Sequence, residues 1–167
     1  MEIKVSIEDK ELKSGLAALQ SRMSDLSPVM KVISEIVYAS IRRNFEAGGR
    51  PQRWAPSLRV KREGGQTLIR KGTGGGLLGS LIPSHTKDSA TVSANKEYAA
   101  ILHFGGKTAP RIIKAKNGKA LFWPGARHPV KSVNHPGSKI PPRPFLMVQN
   151  EDWTEIQSVI NNYLSMR

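Results

Sequence analysis

The chain contains no cysteine. No disulfide framework can staple it, and no thiolate metal site can form. It has no apolar run near the roughly 20 residues that a membrane-crossing helix needs. The opening segment, MEIKVSIEDKELK, is charged throughout and lacks the apolar centre of a signal peptide. The expectation is a soluble, unexported protein with no membrane contact. Hydrophobic residues reach only 38% of 167, which leaves much of the chain for surface, loop or interface. Acidic residues are also scarce, 13 against 26 basic ones, for a net charge of +13.

The distribution of that charge says more than its total. Residues 1–41 hold six acids and five bases, residues 42–71 two acids and nine bases, and residues 98–150 nine bases and no acid. The excess sits on the segments that look irregular rather than on those that look helical. Such a surface attracts a polyanion, either nucleic acid or an acidic protein face.

Residues 2–7 alternate Ile3, Val5 and Ile7 with polar neighbours, the period of a half-buried strand. Residues 9–25 place Leu12, Leu16, Leu19 and Met23 at helical spacing. Ser27-Pro28 reads as an N-cap followed by proline at the first helical position. The helix it opens runs to about Ala47, with an apolar stripe of Val29, Val32, Ile33, Ile36, Val37, Ile41 and Phe45, and Gly48-Gly49 ends it. Residues 48–75 read as one long irregular stretch. A helical turn is expected at 76–81, then strands near 81–86 and 89–94 joined by Lys87-Asp88, then a short helix at 96–104. Asn117-Gly118 lies between Ile112-Ile113 and the apolar run 120–123, a hairpin signal. Residues 124–144 hold six of the eleven prolines and read as a second irregular stretch. A last helix is expected to start from an Asn150 cap and to bury Trp153, Ile156, Val159, Ile160, Tyr163 and Leu164. The order of elements predicts one α+β domain over 1–167, with helices on one face of a mostly antiparallel sheet, long basic loops and a C-terminal helix.

Chemistry is poorly represented. Gly74-Gly75-Gly76-Leu77-Leu78-Gly79 matches the letters of a dinucleotide fingerprint, but that fingerprint needs a buried strand before it and a long helix after it. Here Arg70 and Lys71 precede and Pro83 follows, so a flexible turn is the better reading. His85, His103, His128 and His135 lack the spacing of zinc ligands. No carboxylate between residues 98 and 150 can orient a histidine, and no serine sits in a strand–turn–helix elbow. No catalytic residue, metal or cofactor is expected, and the chain does not read as an enzyme.

Four segments, taken in order, resemble the phage virion morphogenesis family, which includes tail-completion proteins. Phe45, Gly48-Gly49, Pro51, Trp54 and Pro56 are similar to its "F…GG-P-x-x-W-x-P" after a long helix. The stretch from Thr73 to Leu81 is similar to "T-G-x-L-x-x-S", with a richer glycine run. The stretch from Tyr98 to Gly106 resembles "Y-A-x-x-H-x-F-G". Pro141, Arg143, Pro144, Phe145 and Leu146 resemble "P-x-R-P-F-L" before a terminal helix. The resemblance implies a phage or prophage structural protein that completes the tail or joins head and tail as a subunit of a ring. It further implies other tail or head-completion proteins as partners, homo-oligomers in the virion, and residence in the host cytoplasm during assembly. A sequence-independent nucleic-acid-binding protein is the alternative, and non-specific DNA contact is compatible with both.

The candidate interface residues are the basic loop positions and one aromatic: Arg50, Arg53, Trp54, Arg59, Lys61 and Arg62 in the first stretch, and Lys114, Lys116, Lys119, Arg127 and Lys131 in the second. Trp54 has two readings, an exposed anchor beside arginine or a ring folded back onto the core.

Overall fold

The computed structural model describes residues 9–70, 76–116 and 119–165. The fold is α+β. Among the described residues, five helices, α1 (Lys10–Ser24), α2 (Ser27–Glu46), α3 (Leu58–Glu63), α4 (Ala99–Phe104) and α5 (Asn150–Ser165), combine with six short strands. The strands are β1 (Leu81–His85), β2 (Ala90–Ala94), β3 (Gly106–Lys107), β4 (Arg111–Lys114), β5 (Ser132–His135) and β6 (Lys139–Ile140). All described pairings are antiparallel and fall into three ladders, β1–β2, β3–β6 and β4–β5. The strand expected at 2–7 lies outside the described residues.

The chain forms two compact units: Met1–Lys96 with Phe145–Arg167, and Glu97–Pro144. In the first, α2 is the central element and packs on α5, β1 and β2. Its stripe lies where the 3.6-residue period puts it: Val29, Ile33, Ile36, Ile41 and Phe45 are buried, while Val32 at the edge is exposed. Each buried side chain of this kind contributes roughly 1.5–3 kcal/mol. Ile156 of α5 completes the cluster around Val29, Ile33 and Ile36, with Val159, Ile160 and Tyr163 half-buried against it. The β1–β2 hairpin and the 3-10 turn Leu78–Ser80 before it form where expected.

Several local expectations are corrected. Ser27 is the first helical residue and not the cap of α2. Leu26 holds the cap position without a side-chain bond, and the Ser27 amide donates to Asp25 Oδ1 at 2.9 Å. Asn150 is likewise already helical; Gln149 precedes it, and the Gln149 amide donates to Asp152 Oδ2 at 2.7 Å, half of a capping box. Trp153 is exposed rather than buried. The buried stripe of α5 starts one residue earlier, because Asp152, Ile156, Val159, Ile160 and Tyr163 share one phase of the helix. The stretch 48–75 contains α3, capped by Ser57, whose Oγ accepts from the Val60 amide. α1 forms as expected but buries no residue, and Leu12, Leu16 and Met23 are exposed.

In the second unit the hairpin expected around Asn117-Gly118 is replaced. β4 pairs with β5, opposing Ile113 to Val133 and Lys114 to Ser132, rather than with residues 120–123. Leu121 instead bridges Val130, and the Ala115 amide donates to the Lys131 carbonyl at 2.8 Å. Asn117 and Gly118 themselves lie outside the described residues. The proline-rich stretch 124–144 therefore contributes two strands, β5 and β6, where an irregular loop was expected.

Candidate functional site

The first basic segment is shaped by the end of α2. Gly48 and Gly49 have φ of +70° and +112°, so the chain leaves the helix through backbone that an L side chain rarely adopts. A Cβ on Gly49 would lie 2.5 Å from the Gln52 carbonyl oxygen and 2.9 Å from Trp54 Cδ1. This tight return, closed by the Trp54 amide donating to the Gly48 carbonyl at 2.8 Å, folds Trp54 inward. Its ring stands edge-on to Phe45 with centroids 5.6 Å apart, and Phe45 in turn meets Phe145 at 5.4 Å. Of the two readings of Trp54, the core residue is the one observed: 7% of it is exposed, and Nε1 has no hydrogen-bond partner among the described residues.

Arg50 is turned inward as well. Its Nε donates to Asn44 Oδ1 at 2.9 Å, Nη1 to Glu151 Oε1 at 3.0 Å, and Nη2 to the carbonyl and Oγ of Ser40 at 3.0 and 2.9 Å. The guanidinium fork thereby ties the loop to α2 and α5. Arg59 does similar work on α3, donating to the Gln66 and Ile69 carbonyls at 2.6 and 2.7 Å and holding that loop closed. Arg53, Lys61 and Arg62 are exposed.

The buried polar centre beneath Arg50 was not anticipated from the sequence. Asp152 is wholly buried and accepts from Ser40 Oγ, from Arg43 Nη2 at 2.8 Å and from the Gln149 amide. Asn44, also wholly buried, donates to the Phe145 and Met147 carbonyls at 3.0 and 2.9 Å. Ser40 and Asn44 sit four apart inside the apolar stripe of α2, and that interruption is the signal that could have revealed the network.

The second unit places its candidates differently. Lys114, Lys116, Lys119, Arg127 and Lys131 are all exposed. The β4–β5 ladder sets Lys114 opposite Ser132, and the Ala115–Lys131 bond carries the pairing on toward the Leu121–Val130 bridge. Beyond that bridge the Ala126 amide donates to the Trp123 carbonyl at 2.9 Å across Pro124 and Gly125, whose φ is +96°. Proline followed by a positive-φ glycine is the signature of a type II turn, where the sequence had suggested only an irregular stretch. Phe104, Phe122 and Trp123 are exposed, a feature the sequence reading did not single out. His103 packs edge-on against Phe104 at 4.6 Å, and partial burial pushes its imidazole below the ordinary histidine range.

Residues 71–75 of the glycine run lie outside the described residues. The described remainder, from Gly76, enters the 3-10 turn and then β1, not a long helix of the kind that receives a pyrophosphate. No cluster of three histidine or carboxylate side chains suited to a metal ion occurs among the described residues, and no described helix is long and apolar enough to cross a membrane.

The phage virion morphogenesis family matches the chain over residues 7–165. The chain is also similar to "Mu-like prophage FluMu G protein 2" of Haemophilus influenzae, with 27% identity over 157 residues, 94% of this chain and 91% of that one. No solved structure matches.

Proposed function

The chain belongs to the phage virion morphogenesis family, and from that membership we propose that it completes the phage tail or joins head to tail as one subunit of a ring. Its role in phage morphogenesis follows from the family and from the prophage relative. The finer reading is carried by one observation: the match runs through both compact units, so the acid-free segment 98–144 and the helical core belong to the same family domain. In this reading the core, stiffened by the Arg50 and Asp152 network, is a scaffold, and the protein meets other tail or head-completion proteins and further copies of the chain. The protein works in the host cytoplasm during assembly, stays in the virion, and acts without catalysis or cofactor.

Interrupting the gene in an inducible prophage tests this. Electron microscopy of the lysate is expected to show heads and tails that fail to join, or tails with an unfinished end, and a plasmid copy restores whole particles. Normal infectious particles from the interrupted strain would overturn the proposal.

A second reading, a sequence-independent nucleic-acid-binding protein, is favoured by the run of nine bases without an acid over residues 98–150.

A further inference from the structure

The unit Glu97–Pro144 holds nine bases and a single acid, Glu97. Eight of the nine are exposed and Arg143 is buried. Both ion pairs found among the described residues, Arg43–Asp152 and Arg50–Glu151, belong to the other unit. Six of the eight exposed bases are lysines. Lysine is depleted at protein–protein interfaces, where a flexible and strongly hydrated ammonium is costly to immobilise. It suits a phosphate backbone, where each neutralised phosphate releases a counterion. The composition therefore favours nucleic acid over an acidic protein face.

The apolar groups on the same unit fit that partner. Phe122 is 67% and Trp123 43% exposed, adjacent in the chain and just past the bridge from Leu121 to Val130. The turn closed by Ala126 follows directly, with Arg127 beyond it and Lys119 before. Aromatic faces among phosphate-binding cations form a stacking platform, and it tolerates any sequence because every base offers a π-face. We propose that the β4–β5 ladder, with the bridge that extends it, is a sequence-independent DNA-binding surface: its lysines contact phosphates, while Phe122 and Trp123 stack on unpaired bases. This deepens the nucleic-acid reading and is independent of the tail-completion role.

The test uses the full chain and fluorescence anisotropy with a labelled 20-mer single strand and two unrelated duplexes, over a series of salt concentrations. Wild type is expected to bind both duplexes equally and to weaken steeply with salt. Replacing Lys114, Lys116, Lys119 and Lys131 by alanine is expected to flatten the log–log salt slope by about 2 to 4. Phe122→Ala with Trp123→Ala is expected to weaken single-strand binding at least about fivefold at an unchanged slope. Circular dichroism and melting of both variants check that they fold as wild type does. If the folded charge variant binds with the wild-type slope, the ladder is not the surface, although the broader nucleic-acid reading survives. If no DNA binds even at low salt, both fail. Competition by polyglutamate as strong as by DNA of equal charge, with no effect of the aromatic pair, would assign the surface to an acidic protein and overturn the proposal.

Discussion

Asp152, in the first turn of α5, has no exposed surface and accepts a hydrogen bond from Arg43 of α2 at 2.8 Å, while the Arg43 side chain remains 48% exposed. The carboxylate is buried on one side of an ion pair whose other side is wet. It also takes the Ser40 hydroxyl and the Gln149 amide, so one side chain caps α5 and docks it on α2.

Asp152→Ala leaves those three donors without their acceptor. We expect a loss of about 2–4 kcal/mol in urea unfolding, the range for removing charge-assisted buried hydrogen bonds when one partner can still reach water. Asp152→Asn keeps an acceptor and the volume, and it should lose less. Equal stability of the alanine variant and wild type would refute this account of the α2–α5 junction.

Gly48 and Gly49 should respond unequally to alanine. At Gly48 a Cβ meets nothing within 4 Å, so only the left-handed backbone is penalised, by about 1–2 kcal/mol. At Gly49 the Cβ also collides with the Gln52 carbonyl and with Trp54, and the larger loss should come with a shift in tryptophan emission. Thermal melts monitored by fluorescence compare the two.

Trp54→Ala removes a ring packed on Phe45 and is expected to cost about 3–5 kcal/mol. Trp153→Ala, on the exposed side of α5, should stay within about 1 kcal/mol of wild type. A reversed order in chemical denaturation would contradict the assignment of the two rings.

His103 should titrate below the ordinary histidine value, because partial burial disfavours its charged form. With the folded value depressed, the unfolded state binds the proton first. Its contribution to stability is therefore full above about pH 6.5 and is lost as pH falls through the folded value. An NMR titration of the His103 ring protons gives that value directly, and a midpoint at or above the ordinary one would exclude the burial effect.

Much of the helical framework was legible in the residues. The period of Val29, Ile33, Ile36 and Phe45 and the Gly48-Gly49 stop delimit α2 almost to the residue, because helix phase and helix termination are local properties of the backbone. The β1–β2 hairpin was legible for the same reason, with both strands and their short connection lying within residues 81–94. Of the eleven candidate interface residues, the eight outside Arg50, Trp54 and Arg59 carry exposed basic side chains. Charge composition was thus a fair guide to exposure except where a guanidinium fork found carbonyl or carboxylate partners nearby in space.

The sequence by itself determined the extents of α1 and α2 to within about a residue, though not α3, as well as where positive charge accumulates and the family to which the chain belongs. Tertiary structure decided which apolar stripe is covered. α1 and α2 both carry one, yet only that of α2 is buried: α5 packs more extensively on α2 than on α1, and the β1–β2 hairpin packs on α2. It also decided that β4 pairs with β5 across some twenty residues rather than with the run beyond Asn117-Gly118, and that Asp152 leads the buried face of α5 in place of Trp153. Spacing along the chain sets the direction in which a side chain points, but burial and strand pairing depend on what a distant segment brings to meet it.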